Sequence, residues 1–440
     1  MISARIQPGE RARFVTLALL LFINALVESS NEVIATSGFI SDAGAANILW
    51  VWATDMFIII LASGAYSLIV DRTKRGLLAV ILFGTFSLIY VSLYFLFAAG
   101  LPAWIGYTLL MVLNDQQWML VPMLVWALAN DIFSVAAAKR LFPLLGIAAL
   151  FGGIGGSAIA AGVARWLSVQ SYELLLLNAW LTLTAALVVA IAAPRLKIEA
   201  RQSRQRETMW DALKEGLAFV REVPLYRYLT LAMVMLGIGL NAVEFHFLDR
   251  VSTSILDPTA LQAFYGAFRA VVIGTLFIVQ GIIATWLLNR IGFKNIFISM
   301  PLVMLLGLAL AIVIPGVIPA GIAVYLARVT LVGVEEPSRR ALQGMVPDER
   351  RGRVSAFLDG YLYPLGSILS CGMIGLVLFL VGQQLLSPEQ GRILYLSLAL
   401  VCASIALWSI TRLRVHYDQS MLNWRLRRRQ RRSSLADIEF

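Results

Sequence analysis

The chain has 440 residues, 59% of them hydrophobic and 14% charged, with a mean hydropathy of +0.80 and a formal net charge of +10. Soluble domains carry about 45–50% apolar and about 25% charged residues, so a water-soluble globule is excluded. Apolar runs of about 20 residues, enough to cross a hydrocarbon layer, recur along the sequence and exclude a β-barrel, whose strands need only about 10.

The first run, near 14–38, follows a polar, basic N-terminus. It holds Glu28, Asn31 and Glu32, which at i, i+3 and i+4 share one helical face. A signal peptide needs a clean apolar core and a small-residue cleavage site, so this run is read as an uncleaved first helix. Further spans follow near 47–70, 77–99, 103–130, 141–166 and 172–193, closing an N-terminal six-helix half over 1–193. A polar linker over 194–227 contains Trp210, Leu213, Leu217, Phe219 and Val220 among charges. That spacing predicts an amphipathic helix at the membrane surface. Six more spans, near 228–250, 263–288, 295–315, 319–336, 354–382 and 391–411, make a C-terminal half over 228–412. A basic tail, 413–440, ends the chain and suits anionic lipid.

Twelve spans put nearly all of the 36 Lys and Arg residues on one side; Arg165, Arg250 and Arg392 fall on the other. Positive-inside logic then predicts a multi-pass protein of the cytoplasmic (inner) membrane with both termini cytoplasmic. The net charge is explained without nucleic acid. Asn24-Ala-Leu-Val-Glu28 in span one has a counterpart in Asn241-Ala-Val-Glu244 in span seven, and Asp71-Arg72 has one in Asn289-Arg290. The near-constant offset supports a six-plus-six duplication, the layout of major facilitator transporters, whose substrate site lies between the halves. The expected fold is therefore an all-α, major-facilitator-like polytopic membrane protein of about twelve helices.

A charge in hydrocarbon costs about 2.5–3.5 kcal/mol even on lenient scales, so intramembrane charges need a reason. Arg269 and Arg328 can bind an anion through a planar, always-charged fork, with Asn114 and Gln117 of the run Asn114-Asp115-Gln116-Gln117 as polar lining. Glu28, Asp55 and Glu244 are candidates for coupling. Asp71 and Arg72 are candidates for gating, since Asp71-Arg-Thr-Lys-Arg75 resembles the major facilitator signature loop, with Ser67 and Lys74 where that pattern has glycine. The competing account is structural charge pairing. His246 reads as a satisfied interior histidine, and Glu32 and Arg250 as groups near the external span ends.

Gly152-Gly153-Ile-Gly155-Gly156 lies in an apolar run without a following Gly-Lys-Ser/Thr and reads as close helix packing rather than a phosphate loop. Cys371 and Cys402 read as packing residues. No metal cluster, nucleophilic triad or nucleotide-hydrolysis motif appears, so neither an enzyme nor a cofactor is expected.

Trp126-Ala-Leu-Ala-Asn-Asp131, Ala138-Lys-Arg-Leu-Phe-Pro-Leu-Leu-Gly146 and the glycine series to Gly156 resemble the nucleotide transporter (ATP/ADP translocase) family of plastids and intracellular bacteria; Glu335-Glu-Pro-Ser-Arg-Arg340 extends the likeness. The resemblance implies exchange of nucleotides or related phosphorylated compounds. That family holds phosphates with intramembrane lysines, whereas Lys74, Lys139, Lys197, Lys214 and Lys294 all fall in predicted loops; Arg269 and Arg328 would substitute. The expected function is a secondary active transporter of a small organic anion, enclosed within one chain. The alternatives are a proton-coupled exporter of hydrophobic or cationic compounds, and a transport-inactive sensor or scaffold module acting through its tail.

Overall fold

A computed structural model describes residues 7–70, 74–166, 171–192, 209–343, 346 and 348–436. Among these residues all regular structure is helical. The first six long helices are α1 (Arg11–Ala43), α2 (Ile48–Val70), α3 (Arg75–Ala98), α4 (Ala103–Ile132), α5 (Val135–Trp166) and α6 (Leu174–Ala192). They are followed by α7 (Met209–Glu222) and α8 (Pro224–Ser254). Then α9 (Pro258–Ile278) passes through a π-helical turn, Val279–Ile283, into α10 (Ala284–Ile291). After the single turn α11 (Phe293–Ile296) and the helix α12 (Ser299–Val313), α13 (Val317–Thr330) passes through a second π-helical turn, Leu331–Glu335, into α14 (Glu336–Gln343). The chain continues in α15 (Asp348–Gly360), α16 (Leu362–Gly382) and α17 (Pro388–Ala436).

Among the described residues, 11 helical stretches are long and apolar enough to cross a membrane. α4 is not one of them, although its 30 residues reach about 45 Å at 1.5 Å per residue, well beyond a hydrocarbon layer of about 30 Å. Its central run, Asn114 to Gln117, lowers its hydropathy. With α4 the membrane helices number about twelve, as the sequence predicts. Trp50, Phe57, Leu306, Leu376 and Phe379 are exposed, which suits a surface that meets lipid rather than water.

The chain divides into two compact units, Met1–Arg206 with Leu248–Ile278, and Glu207–Phe247 with Val279–Phe440. In the first, α5 lies against α1 almost backbone to backbone. A Cβ at Gly152 would collide with the Phe22 carbonyl and one at Gly156 with the Leu26 carbonyl, so the spacing of four is a small-residue packing stripe. Gly266 of α9 meets Ser157 and Ala161 of α5 in the same way. In the second unit, Gly366 of α16 packs on Val234 and Gly237 of α8. The amphipathic α7 buries Phe219 and Val220 and sets Gly216 against Phe357 of α15. Arg392 caps the end of α12 by donating to the carbonyls of Ala311 at 2.7 Å and Ile312 at 3.3 Å, a cation where the helix dipole is negative.

Candidate functional site

In the first unit the polar face of α1 is the organising element. Gln117 Nε2 of α4 donates to Asn24 Oδ1 at 2.9 Å, and the Tyr90 hydroxyl of α3 donates to Gln117 Oε1. Asn178 Nδ2 of α6 donates to Asn31 Oδ1 at 2.7 Å. Two neighbouring helices, α4 and α6, thus fix the register of α1 through buried amides, with Tyr90 of α3 bracing Gln117; such amides cannot be left unpaired in a dry interior without cost. One turn along the same face, Glu32 pairs with Arg269 of α9, their side chains 21% and 14% exposed. Glu28 accepts a bond from Ser29 Oγ at 3.2 Å.

Asp55 of α2, only 1% exposed, accepts from Gln116 Nε2 of α4 at 3.4 Å. Its carboxyl lies within hydrogen-bond reach of the Asp115 carboxyl. Asp55 Oδ2, Asn114 Oδ1 and Gln116 Oε1 are buried acceptors without a hydrogen-bond partner among the described residues. Of the predicted residues, then, the first unit gathers Glu28, Asp55, Asn114, Gln117 and Arg269 on α1, α2, α4 and α9.

The second unit holds the remaining pair. Arg328 of α13 binds Glu244 of α8, their side chains 25% and 12% exposed. Beside Glu244 on α8, Asn241 donates to the Ser367 carbonyl at 3.2 Å and to its Oγ at 3.0 Å. The buried His246 pairs through Nδ1 with the Tyr395 hydroxyl at 2.9 Å. Further along, Arg339 joins Asp359 of α15 and lies 3.3 Å from Glu335, while Gln343 Nε2 reaches both Asp359 oxygens at 3.1 Å. This network lies within and beside the segment Glu335 to Arg340.

The signature-loop residues Asp71 and Arg72 lie outside the described residues. Next to them, Arg75 Nη1 is 2.6 Å from Asp131 Oδ2, and Arg140 Nη2 is 2.9 Å from Glu10. These two pairs tie the basic ends of α1, α3, α4 and α5 together.

Sequence reasoning missed Glu32 as the partner of Arg269, placing it near the external end of its span. Its i+4 spacing from Glu28 puts it on the polar face of α1 but names no partner. It also left Asp115, Tyr90 and Asn178 without roles, although each is a polar residue in an apolar run.

Residues 94–314 match the model of the TLC ATP/ADP transporter family. No curated protein matches the chain. Solved structures resemble it along nearly its whole length. The nucleoside transporter NupG covers 90% of this chain and 98% of its own, at 15% identity and a TM-score of 0.67. An auto-inhibited POT family peptide transporter covers 90% and 96% at 12% identity and a TM-score of 0.67. A bacterial homologue of the iron transporter ferroportin, in an inward-facing state, covers 93% and 100% at 13% identity and a TM-score of 0.66. At such identities the likeness is one of fold, and the fold is major-facilitator-like.

Proposed function

The chain belongs to the TLC ATP/ADP transporter family, and we propose that this multi-pass membrane transport protein moves a small organic anion, a nucleotide or phosphorylated metabolite, by alternating access. The observation that carries the reading is a matched pair of intramembrane ion pairs. Arg269 with Glu32 and Arg328 with Glu244 each hold a guanidinium within a span by a glutamate. Both guanidiniums are partly exposed, and an incoming phosphate or carboxylate offers the same planar, bidentate partner that the glutamate supplies. The protein's carboxylates would act as place-holders, released when substrate arrives. Asn114 and Gln117 would line the anion path, and Glu28, Asp55 and Glu244 would serve coupling. Asp71 and Arg72 would belong to the gate at the basic face, a few residues before Arg75 in sequence, which itself pairs with Asp131. Nearly all basic residues on one side of the spans support a cytoplasmic-membrane location with both termini cytoplasmic.

The test is a thermal-shift screen of the purified protein against nucleotides, phosphorylated metabolites, organic acids and lipophilic cations. A ligand of the folded state raises the melting temperature by mass action. Stabilisation by ADP or ATP that Arg269→Gln or Arg328→Gln abolishes supports the anion reading. A second reading, proton-coupled export of hydrophobic or cationic compounds, is favoured by the carboxyls Glu28, Glu32, Asp55 and Asp115 in the first unit. Stabilisation by lipophilic cations alone would select it.

A further inference from the structure

The hydrogen-bond pattern around Asp55 has a gap of one particular kind. Gln116 Nε2 supplies a donor to Asp55 Oδ1, but no donor among the described residues reaches Asp55 Oδ2. The group within hydrogen-bond reach is instead a second carboxyl, Asp115. Gln116, 8% exposed, likewise keeps Oε1 unpartnered beside the pair. Two carboxylates at hydrogen-bond distance, Asp55 buried and Asp115 half-buried, repel each other; one proton between them removes the repulsion and supplies the missing donor. Among the described residues no three or more His, Cys, Asp or Glu side chains come together as a metal-ligand group.

We propose that Asp55 of α2 and Asp115 of α4 form a shared proton site, braced by Gln116, whose occupancy is linked to anion binding at Arg269. The proton comes from bulk water, resides on one carboxyl oxygen and is donated to the other, with no other bond made or broken. α1 brings Glu28 and Glu32 within electrostatic range of Asp115, and Glu32 in turn holds Arg269 of α9. The charged groups acting on Asp115 are thus all carboxyls, and through Glu32 Arg269 is joined to this acidic cluster. Adding one proton to it favours an anion at Arg269, and by reciprocity an anion there favours the proton. Proton and anion therefore bind together. This linkage rests on the anion-transport reading; the proton site itself does not.

The experiment uses the full chain in two arms. Infrared difference spectra between acidic and alkaline medium should contain a protonated-carboxyl C=O band that shifts in D2O, and the double variant Asp55→Asn/Asp115→Asn should lose it. Gln116→Leu keeps both acids, so it should shift that band without removing it, which guards against a double variant that fails to fold. An unchanged spectrum in the well-folded double variant, or no effect of Gln116→Leu, would overturn the proton site. In the second arm, ADP is added to lightly buffered protein with a pH dye. Proton uptake by the wild type but not by the double variant is expected; ADP binding without proton uptake would overturn the linkage. Wild-type protein that does not bind ADP would sink the nucleotide reading alone, and the spectra would still decide the proton site.

Discussion

Replacing Glu32 by glutamine separates the two jobs of one ion pair. The Arg269 and Glu32 side chains are 14% and 21% exposed. They fall between surface pairs, worth about 0–1 kcal/mol, and buried pairs, whose breakage costs about 3–5 kcal/mol. Loss of the carboxylate should therefore cost the ligand-free protein about 2 kcal/mol. The same interaction is what an anion must displace to reach Arg269. Its removal should raise the affinity for a phosphate-bearing ligand by up to roughly 30-fold, taking 1.4 kcal/mol per factor of ten. Glu32→Gln is thus expected to be less stable alone and more strongly stabilised by ADP. The assay is thermal unfolding of detergent-purified protein across an ADP titration, with Arg269→Gln as the control that loses the response. Unchanged or weaker ADP binding in a monodisperse Glu32→Gln protein would refute the place-holder argument.

Neighbouring glycines give a sharp packing contrast. A Cβ at Gly156 would strike the Leu26 carbonyl, whereas one at Gly155 meets only Leu26 Cδ1 at 3.8 Å. Gly156→Ala should therefore cost about 1–3 kcal/mol or more, seen as a lower melting temperature, and Gly155→Ala should be close to neutral. Asp257 caps α9 by accepting from Thr259 Oγ1 at 2.6 Å and from the Ala260 amide at 2.9 Å. The Thr259 hydroxyl first, and then that amide, hold its carboxyl below the usual carboxylate range. A depressed folded-state value means a stabilisation present above the ordinary carboxylate range and lost as the pH falls through the folded value. Asp257→Ala should accordingly destabilise at neutral pH, and the difference from wild type should shrink in acid. Deleting 425–440 should leave transport turnover in proteoliposomes intact; loss of turnover would favour the tail-dependent module.

The helical membrane class was legible because hydrophobic run length decides it, whereas the span number rests on α4, which falls short on hydropathy and counts as a span by its length. The glycine stripe was legible as packing, since small residues at a spacing of four have few other uses inside an apolar helix. Partners were another matter. Nothing in the sequence says that Arg269 meets Glu32, 237 residues away, or that Asp55 lies beside Asp115. Such pairs depend on helix rotation and neighbour choice, which the Asn24–Gln117 and Asn31–Asn178 bonds fix only in three dimensions. The packing of α9 against α5 in the first unit is of the same kind, because it depends on Gly266 meeting Ser157 and Ala161 rather than on chain order. Glu32 shares the polar face of α1 with Glu28, but its pairing with Arg269 is set by how α9 packs on that face.

The most direct test of the account is counter-exchange of radiolabelled ADP in proteoliposomes loaded with ATP or ADP. Saturable uptake that depends on internal nucleotide and disappears in Arg269→Gln and Arg328→Gln is the predicted result. No nucleotide flux from well-folded protein, alongside movement of a lipophilic cation under a pH gradient, would contradict it.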